Sequence, residues 1–499
     1  MSLPDVIVRE DDRLALVDPV GGRTLTHTEL GGASAWIAAR LGGAGVQAGD
    51  TVALMGPNGP DFVAAFLGTL RAGAAAAPLN PAYTTAELRT YLDDLRPSAM
   101  LLLEGVGGPP REACTQLGVR LLEVSGASSA ALDVPGVPVP DSGRPLPHVD
   151  EDAVALVLHT SGTTGAPKGV YLRHRNLVAS VENIAAAYEL TADDVSYCVM
   201  PLFHVHGLVA STFAALARGG TVVVPPRFSA SSFWGDVAQW GATWFSAVPT
   251  IHRTLLLRSD DAGHGPAHTL RFARSCSSAL APTVWRDFER RFGVPLVEAY
   301  GMTEASHQMS TNPLPPADRR PGTVGIATGI EVAVLDGDWR PLPAGEPGEV
   351  AVRGTSVVDE YRGNPEATAA SFRDGWFRTG DRGVLSSDGY LTLQGRIKEL
   401  INRGGEKISP HEVEDALLSH PDVADAVAFA RPDDKYGECV AAVVVAAGPT
   451  GVDVDALRDH CAARLAHFKV PDTITVAAEI PKGPTGKVQR RLMAGPLGS

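Results

Sequence analysis

Short apolar runs alternate along the chain with stretches in which apolar residues recur every three or four positions, most densely between residues 153 and 300. The runs predict strands over 153–158, 221–224, 243–248, 270–275 and 295–299. Leu177, Val181, Ile184 and Tyr188 share one face of a helix predicted over 176–188. Further helices are predicted over 232–240 and 282–292, the last opening on Pro282, where a missing N–H costs the first turn nothing. Strand–helix–strand order predicts parallel sheet covered by helices on both faces. From residue 349 onward Asp374-Gly375, Asp388-Gly389 and Gly404-Gly405 punctuate shorter segments, which predicts turn-rich antiparallel structure. Beyond Arg396 the pattern gives a helix over 411–419, strands over 423–430 and 439–445, a helix over 454–465 and a strand over 473–477. That is a unit of about 100 residues, a common size for an independent domain, so a boundary is expected near Lys398.

Composition narrows the class. A length of 499 residues allows two to four domains at roughly 150 residues each. A formal charge of −14 without a Lys/Arg block argues against nucleic-acid binding, which needs clustered cations. Any anionic substrate must therefore be held by local devices. The five cysteines are scattered, odd in number and free of CxxC pairs, so neither a disulfide framework nor a zinc site is expected and a reducing cytoplasm is. No basic, apolar leader opens the chain and no run is long enough to span a membrane, so a soluble protein with no membrane partner is expected. The terminal Gly-Pro-Leu-Gly-Ser reads either as an expression-vector remnant or as a native end.

The densest chemistry lies directly after the strand predicted over 153–158. Thr160, Ser161, Gly162, Thr163, Thr164, Gly165, Ala166, Pro167, Lys168 and Gly169 place four hydroxyls, three glycines and a lysine in ten residues. Such a loop can wrap phosphate oxygens with N–H and O–H groups. It is not a Walker A loop, because Pro167 precedes the lysine and Gly169 follows it. The plain alternative is a polar surface turn.

This loop resembles the phosphate-binding signature of the adenylate-forming superfamily, which contains acyl-CoA synthetases, peptide-synthetase adenylation domains and beetle luciferases. Further matches follow in the family's order across essentially the whole chain. Tyr300-Gly301-Met302-Thr303-Glu304 resembles the adenine and magnesium motif, with Glu298 and Ala299 before it. Thr379-Gly380-Asp381 resembles the ribose-binding aspartate motif, Gly395-Arg396 the hinge-adjacent arginine, and residues 481–487 the loop that ends on the catalytic lysine, here Lys487. The resemblance implies an α/β fold with a large N-terminal domain of doubly covered, mostly parallel sheets plus a small β-barrel-like region, over 1–395. A hinge at 396–398, centred on Lys398, then leads to a small mobile α+β domain over 399–499. It also implies ATP, Mg²⁺ and coenzyme A as co-substrates, with Thr160 and Glu304 toward the metal and Ser277, Ser278 and Ala279 beside the nucleotide.

The residue types suit those roles. Glutamate is a hard oxygen ligand for Mg²⁺, tyrosine offers a flat face to adenine, and Asp381 can accept two hydrogen bonds from a diol. Taken singly, each has an ordinary structural reading; as an ordered set they point to a nucleotide. Forming an acyl-adenylate brings a carboxylate onto the α-phosphorus of ATP, so two anions must meet. A lysine between them offsets the repulsion. The resemblance further implies that the small domain then turns, withdrawing Lys487 and bringing the loop 402–407, with Gly404 and Gly405, against a coenzyme A tunnel. Nothing in the sequence marks an enzyme nucleophile.

The acid-binding segments of the family match residues 203–207, 274–279 and 305–307. His204 matches a position that turns between half-reactions. His206 and His307 stand where users of bulky apolar acids carry small or apolar residues, and with Ser277 they could donate to a second carboxylate. A core-histidine reading, or a metal held by a His-x-His pair on a strand, are the alternatives. The closest subgroup resemblance is to oxalate-CoA ligases of the plant and yeast peroxisomal type, through 158–160, 242–252, 274–277, 303–313 and 396–410. Malonyl-CoA synthetases share 203–207 but carry an arginine where this chain has Ala299. The expected activity is thus oxalate to oxalyl-CoA, by a monomer or homodimer, with malonate or another short acid as the enzymatic alternative. A carrier-protein thiol as acceptor and a silent nucleotide-binding regulator are the others. No terminal Ser-Lys-Leu is present, so peroxisomal import is not expected.

Overall fold

The fold is described from a computed structural model covering residues 1–128, 131–133, 146–160, 168–258, 269–449, 451–483, 488, 490 and 493. Two large mixed sheets carry the first two-thirds of the chain. One has seven strands in the order Ala131–Asp133, Leu121–Ser128, Ala99–Leu103, Thr51–Met55, Ala75–Pro78, Val154–Thr160, Lys168–Arg173. The other has nine, in the order Ile326–Ala327, His307–Thr311, Leu296–Met302, Phe272–Ser275, Trp244–Ala247, Val195–Cys198, Thr221–Val223, Leu14–Val17, Thr24–Thr26. Their central strands are parallel and almost wholly buried, as strands covered on both faces must be.

The periodicity located these elements closely. The helix carrying Leu177, Val181 and Ile184 runs His174–Ala187, with those side chains and the adjoining Tyr188 fully buried. The helix Pro282–Phe292 opens on its proline and ends at Gly293 in the left-handed conformation, a glycine stop. Its apolar face sets Val284, Trp285, Phe288 and Phe292 into a core with Phe233, Phe245 and Leu296. The turn-rich region is an antiparallel sheet of five strands, Glu331–Leu335, Pro347–Arg353, Phe372–Arg373, Trp376–Leu385 and Leu391–Arg396. After the short turn Ile397–Glu399, a separate five-stranded sheet carries the helices Pro410–Leu418 and Val454–Ala462 around their own core of Ile401, Ile408, Val413, Leu417, Val440 and Leu457. Among the described residues, no helix is long and apolar enough to cross a membrane.

The alternative of a His-x-His pair on a strand fails here. Residues 204–206 are not on a strand: His206 opens a π-helical segment, His206–Phe213, packed through Gly207 against the carbonyls of Met200 and Pro201. The alternating Phe-His-Val-His pattern mimics a strand over four residues, too few to establish a period. The pair therefore does not present two rings on one strand face.

Phe288 is fully buried, with its ring 5.1 Å from that of His252 and 4.8 Å from that of Phe292. Phe288→Ala should lower the stability of the large domain by about 3–5 kcal/mol, measured as an earlier urea transition of its tryptophan fluorescence.

Candidate active site

Four parallel strands, Val195–Cys198, Trp244–Ala247, Phe272–Ser275 and Leu296–Met302, end along one edge of the nine-stranded sheet. Ligands of open α/β sheets bind outside such carboxyl ends. The segments leaving these strands carry His204 and His206, Ser277, and Thr303 with Glu304.

At the base lies Arg274, on a central strand and fully excluded from water. Its guanidinium donates to Tyr188 Oη (2.8 Å), Ser246 Oγ (2.8 Å) and Gln308 Oε1 (3.0 Å), and reaches His206 Nε2 (3.4 Å) and His307 Nδ1 (3.3 Å). All five partners are uncharged side chains, whereas a buried guanidinium keeps its proton and ordinarily has a carboxylate beside it. The cation also fixes the imidazole tautomers. A nitrogen that accepts from Arg274 carries no proton, so His206 bears its hydrogen on Nδ1 and His307 on Nε2. His206 Nδ1 then donates to Ser277 Oγ at 2.9 Å, while its Nε2 also accepts from Ser246 Oγ at 2.7 Å. Burial, and then the Arg274 charge, hold both imidazoles well below their ordinary value of 6.5. The ring centroids are 5.1 Å apart.

Backbone geometry brings these groups together. Leu296–Met302 turns back through the short helical turn Thr303–Ala305 into His307–Thr311, pairing Met302 with His307 and Gly301 with Gln308. A Cβ on Gly301 would lie 2.0 Å from the His307 carbonyl oxygen, so only glycine lets the two strands approach there. Ser277 (φ 74°), Ser306 (φ 57°) and His307 (φ 129°) all hold conformations disfavoured for side-chain-bearing residues. Such strain concentrates at functional sites.

A second cluster adjoins the first. Tyr300 Oη donates to Asp381 Oδ2, and Arg396 bonds Asp381 Oδ1 at 3.0 Å and the Thr379 carbonyl at 2.8 Å. Glu304 is buried, its Oε1 accepting from Tyr361 Oη at 2.9 Å. Lys168 Nζ lies 4.8 Å from the centre of that tyrosine ring. Residues expected from four separated motifs are thus joined directly or through Tyr361. Glu298 faces inward: burial pushes its carboxyl up to about 8, and Oε1 accepts from Leu280 N–H at 3.0 Å, supporting the loop that carries Ser277, Ser278 and Ala279. Ala299 is buried in the same strand, Met302 is half-buried at its end, and Ala279 is exposed.

Other expected positions lie apart. Lys398 is exposed in the turn Ile397–Glu399, between Arg396, tied to Asp381, and Glu399, tied to Arg490. Gly404 and Gly405 are also exposed. The hydrogen bonds described for their loop stay within the small domain, from Asn402 N–H to Glu438, Arg403 to Phe468 O and Asp472, and Gly404 N–H to Tyr436 O. Ser161, Gly162, Thr163, Thr164, Gly165 and Lys487 lie outside the described residues, as does the side chain of Thr160. The strands before and after that stretch are antiparallel neighbours, with Thr160 opposite Lys168.

Arg274, read in the sequence only as the first residue of a lining segment, and Tyr361, not read at all, are the site residues whose roles the sequence did not reveal. An arginine inside an otherwise apolar central strand was the available signal for the first; nothing local marks the second.

Residues 5–362 match the AMP-binding enzyme family and residues 412–487 the AMP-binding enzyme C-terminal domain. The chain belongs to the AMP-binding enzyme family. It is 45% identical to an oxalate–CoA ligase of Arabidopsis thaliana, over 99% of this chain and 97% of that one. It is 40% identical to a sulfoacetate–CoA ligase of Cupriavidus necator, over 96% and 94%. The crystal structure of ATP-bound MatB from Rhodopseudomonas palustris superposes with a TM-score of 0.89 at 28% identity, covering 99% of both chains.

The tautomers carry a pH signature. The unfolded chain binds protons at these rings below about 6.5 and the folded chain does not. The two histidines therefore contribute stability above that pH, and it is lost as pH falls below it. Selectively ¹⁵N-labelled rings, assigned with His206→Gln and His307→Gln, should show fixed neutral tautomers from pH 8 to pH 6. A titration midpoint near 6.5 for either ring would contradict the arrangement.

Proposed function

We propose that this chain is an ATP-dependent, AMP-forming carboxylate–CoA ligase that converts oxalate to oxalyl-CoA. The observation that carries the substrate assignment is the buried Arg274 cation surrounded by uncharged partners. With His206, His307 and Ser277 it forms a floor that is positive and rich in donors, suited to a short acid bearing a second anion. An apolar acyl tail set against that floor would leave the buried cation without a counter-charge. The missing arginine at Ala299 is offset by Arg274 on the adjoining strand. The likeness to an oxalate–CoA ligase supports the choice of acid.

In the first step one oxalate oxygen attacks the α-phosphorus of ATP, an O–P bond forms, and pyrophosphate leaves with the electrons of the broken bond. The far carboxylate rests on the Ser277 hydroxyl, which His206 Nδ1 orients, and on the His307 Nε2 hydrogen, with Arg274 behind them, and His204 stands at the entrance. Tyr300 covers the adenine, Asp381 takes the ribose hydroxyls with Arg396 beside it, and the loop 160–168 holds phosphate oxygens. Glu304 fits a Mg²⁺ site: it is a buried carboxylate steadied at one oxygen by Tyr361. Glu304, with Thr160, would hold a Mg²⁺ there, which would supply positive charge to the phosphates. Lys487 supplies the mobile cation between the two anions. In the second step the thiol of coenzyme A adds to the acyl carbon, a C–S bond forms, the thiol proton is released and AMP leaves. The domain 399–499 turns about Lys398 between the steps and brings Gly404 and Gly405 to the site. The exposed state of that loop suits the first step. The enzyme works in the cytoplasm, a reading its five free, buried cysteines support, as a monomer or homodimer.

A panel of oxalate, malonate, succinate, acetate and octanoate, scored by CoA-thioester formation, should rank oxalate first; octanoate leading would reject the diacid floor. Arg274→Gln should lower kcat/KM for oxalate by about 10- to 100-fold, the worth of a charged hydrogen bond, while acetate falls far less. Lys487→Ala should abolish pyrophosphate release yet spare thioester formation from supplied acyl-AMP.

A further inference from the structure

The small and large domains meet at one carboxylate that serves both. Asp425, near the start of the strand Val423–Asp433 in the small domain, accepts from Arg253 Nη1 at 2.7 Å through Oδ1 and from Lys482 Nζ at 2.6 Å through Oδ2. Arg253 belongs to the large domain, on the helix Pro249–Leu257, and Lys482 to the segment five residues before Lys487. The arginine and aspartate are mostly withdrawn from solvent, at 15% and 16% side-chain exposure, so water screens their attraction less than it would a surface pair. The helix is also seated on the site floor. It follows the strand that carries Ser246, and His252, the neighbour of Arg253, has Nε2 3.2 Å from the Arg274 carbonyl.

No other described ion pair joins the two domains while also touching the segment that leads to the lysine. The loop with Gly404 and Gly405 meanwhile faces solvent. A turn of the small domain that brought that loop to the floor would have to part Arg253 from Asp425, whereas Lys482 and Asp425 move together within one domain. The pair is therefore present in one arrangement and absent in the other, which is what makes an interaction favour one step.

We propose that Asp425 is a positioning residue of the adenylate-forming step, its carboxylate fastening the segment 481–483 to Arg253 so that the catalytic loop is docked only while the acyl-adenylate forms. This rests on the two-step ligase reading above. It assigns Asp425, Arg253 and Lys482 a role in choosing between domain arrangements and gives none of them contact with the reacting atoms.

The test separates the half-reactions in the full-length enzyme. Acid-dependent ATP–pyrophosphate exchange reports the first, and thioester formation from prepared acyl-AMP and coenzyme A reports the second, with whichever acid the wild type activates best. Asp425→Asn and Arg253→Gln should each lower the kcat of exchange about tenfold with little change in the KM for ATP. The second half-reaction should hold or quicken. Arg253→Lys should retain most of the exchange, and the Arg253→Gln/Asp425→Asn double variant should be no worse than Asp425→Asn alone. The two single variants alter different domains, so misfolding of one leaves the other to decide. Unchanged exchange, or an equal fall in both half-reactions in correctly folded variants, would overturn the proposal. A wild type that catalyses neither half-reaction with any acid would instead reject the ligase reading.

Discussion

A guanidinium removed from water with no carboxylate beside it among the described residues is the constraint around which the site is organised. Arg274 cannot shed its proton, and Tyr188, Ser246, Gln308, His206 and His307 together supply oriented dipoles without a neutralising charge. Those dipoles have to be aimed, and the aiming sets the tautomer of each imidazole and hence the direction in which Ser277 and the open side of the floor meet a ligand. A glycine at 301, the hairpin turn over 303–305 and the unfavourable torsions at 277, 306 and 307 are the backbone conditions for that convergence. An anion placed at the floor supplies the missing half of an ion pair in a region of low dielectric, where it counts for more than at the surface.

The side proposed to hold the nucleotide follows a different logic. There the charges already come in pairs: Arg396 with Asp381, and Glu304 with a tyrosine hydroxyl and Lys168 nearby across the same ring. Groups held this way are oriented before any ligand arrives, so little reorganisation remains at the moment of reaction. One side of the cleft is built on an unsatisfied charge and the other on satisfied ones. This division matches the two kinds of reactant, a small acid that must be selected and a large cosubstrate that must be placed.

Much of this architecture was legible in the sequence, and the reasons are local. Strands such as Trp244–Ala247 and helices such as Pro282–Phe292 announce themselves because covered sheet demands unbroken apolar runs and a half-buried helix demands one apolar face. Tyr300, Glu304, Asp381 and Arg396 were legible as members of ordered motifs, though not their mutual bonds. The strand entertained as an alternative at His204 and His206 is absent because four alternating residues carry no period, and the segment from His206 is instead π-helical, with Gly207 packed against the carbonyls of Met200 and Pro201. Tyr361 was invisible because its partner Glu304 is 57 residues away. Arg274 was read as part of a lining strand, since a linear pattern shows that a charge is buried but not that it lacks a counter-charge.

The turn Ile397–Glu399 has a mechanical implication. The backbone just before it is anchored to the large domain through Arg396 and Asp381, and the backbone just after it to the small domain through Glu399 and Arg490. Any reorientation that preserves both anchors must be absorbed by the few torsions between them. In the domain rotation proposed above, a linkage so short would act as a crankshaft, unlike a tether, and would hold the small domain to an arc.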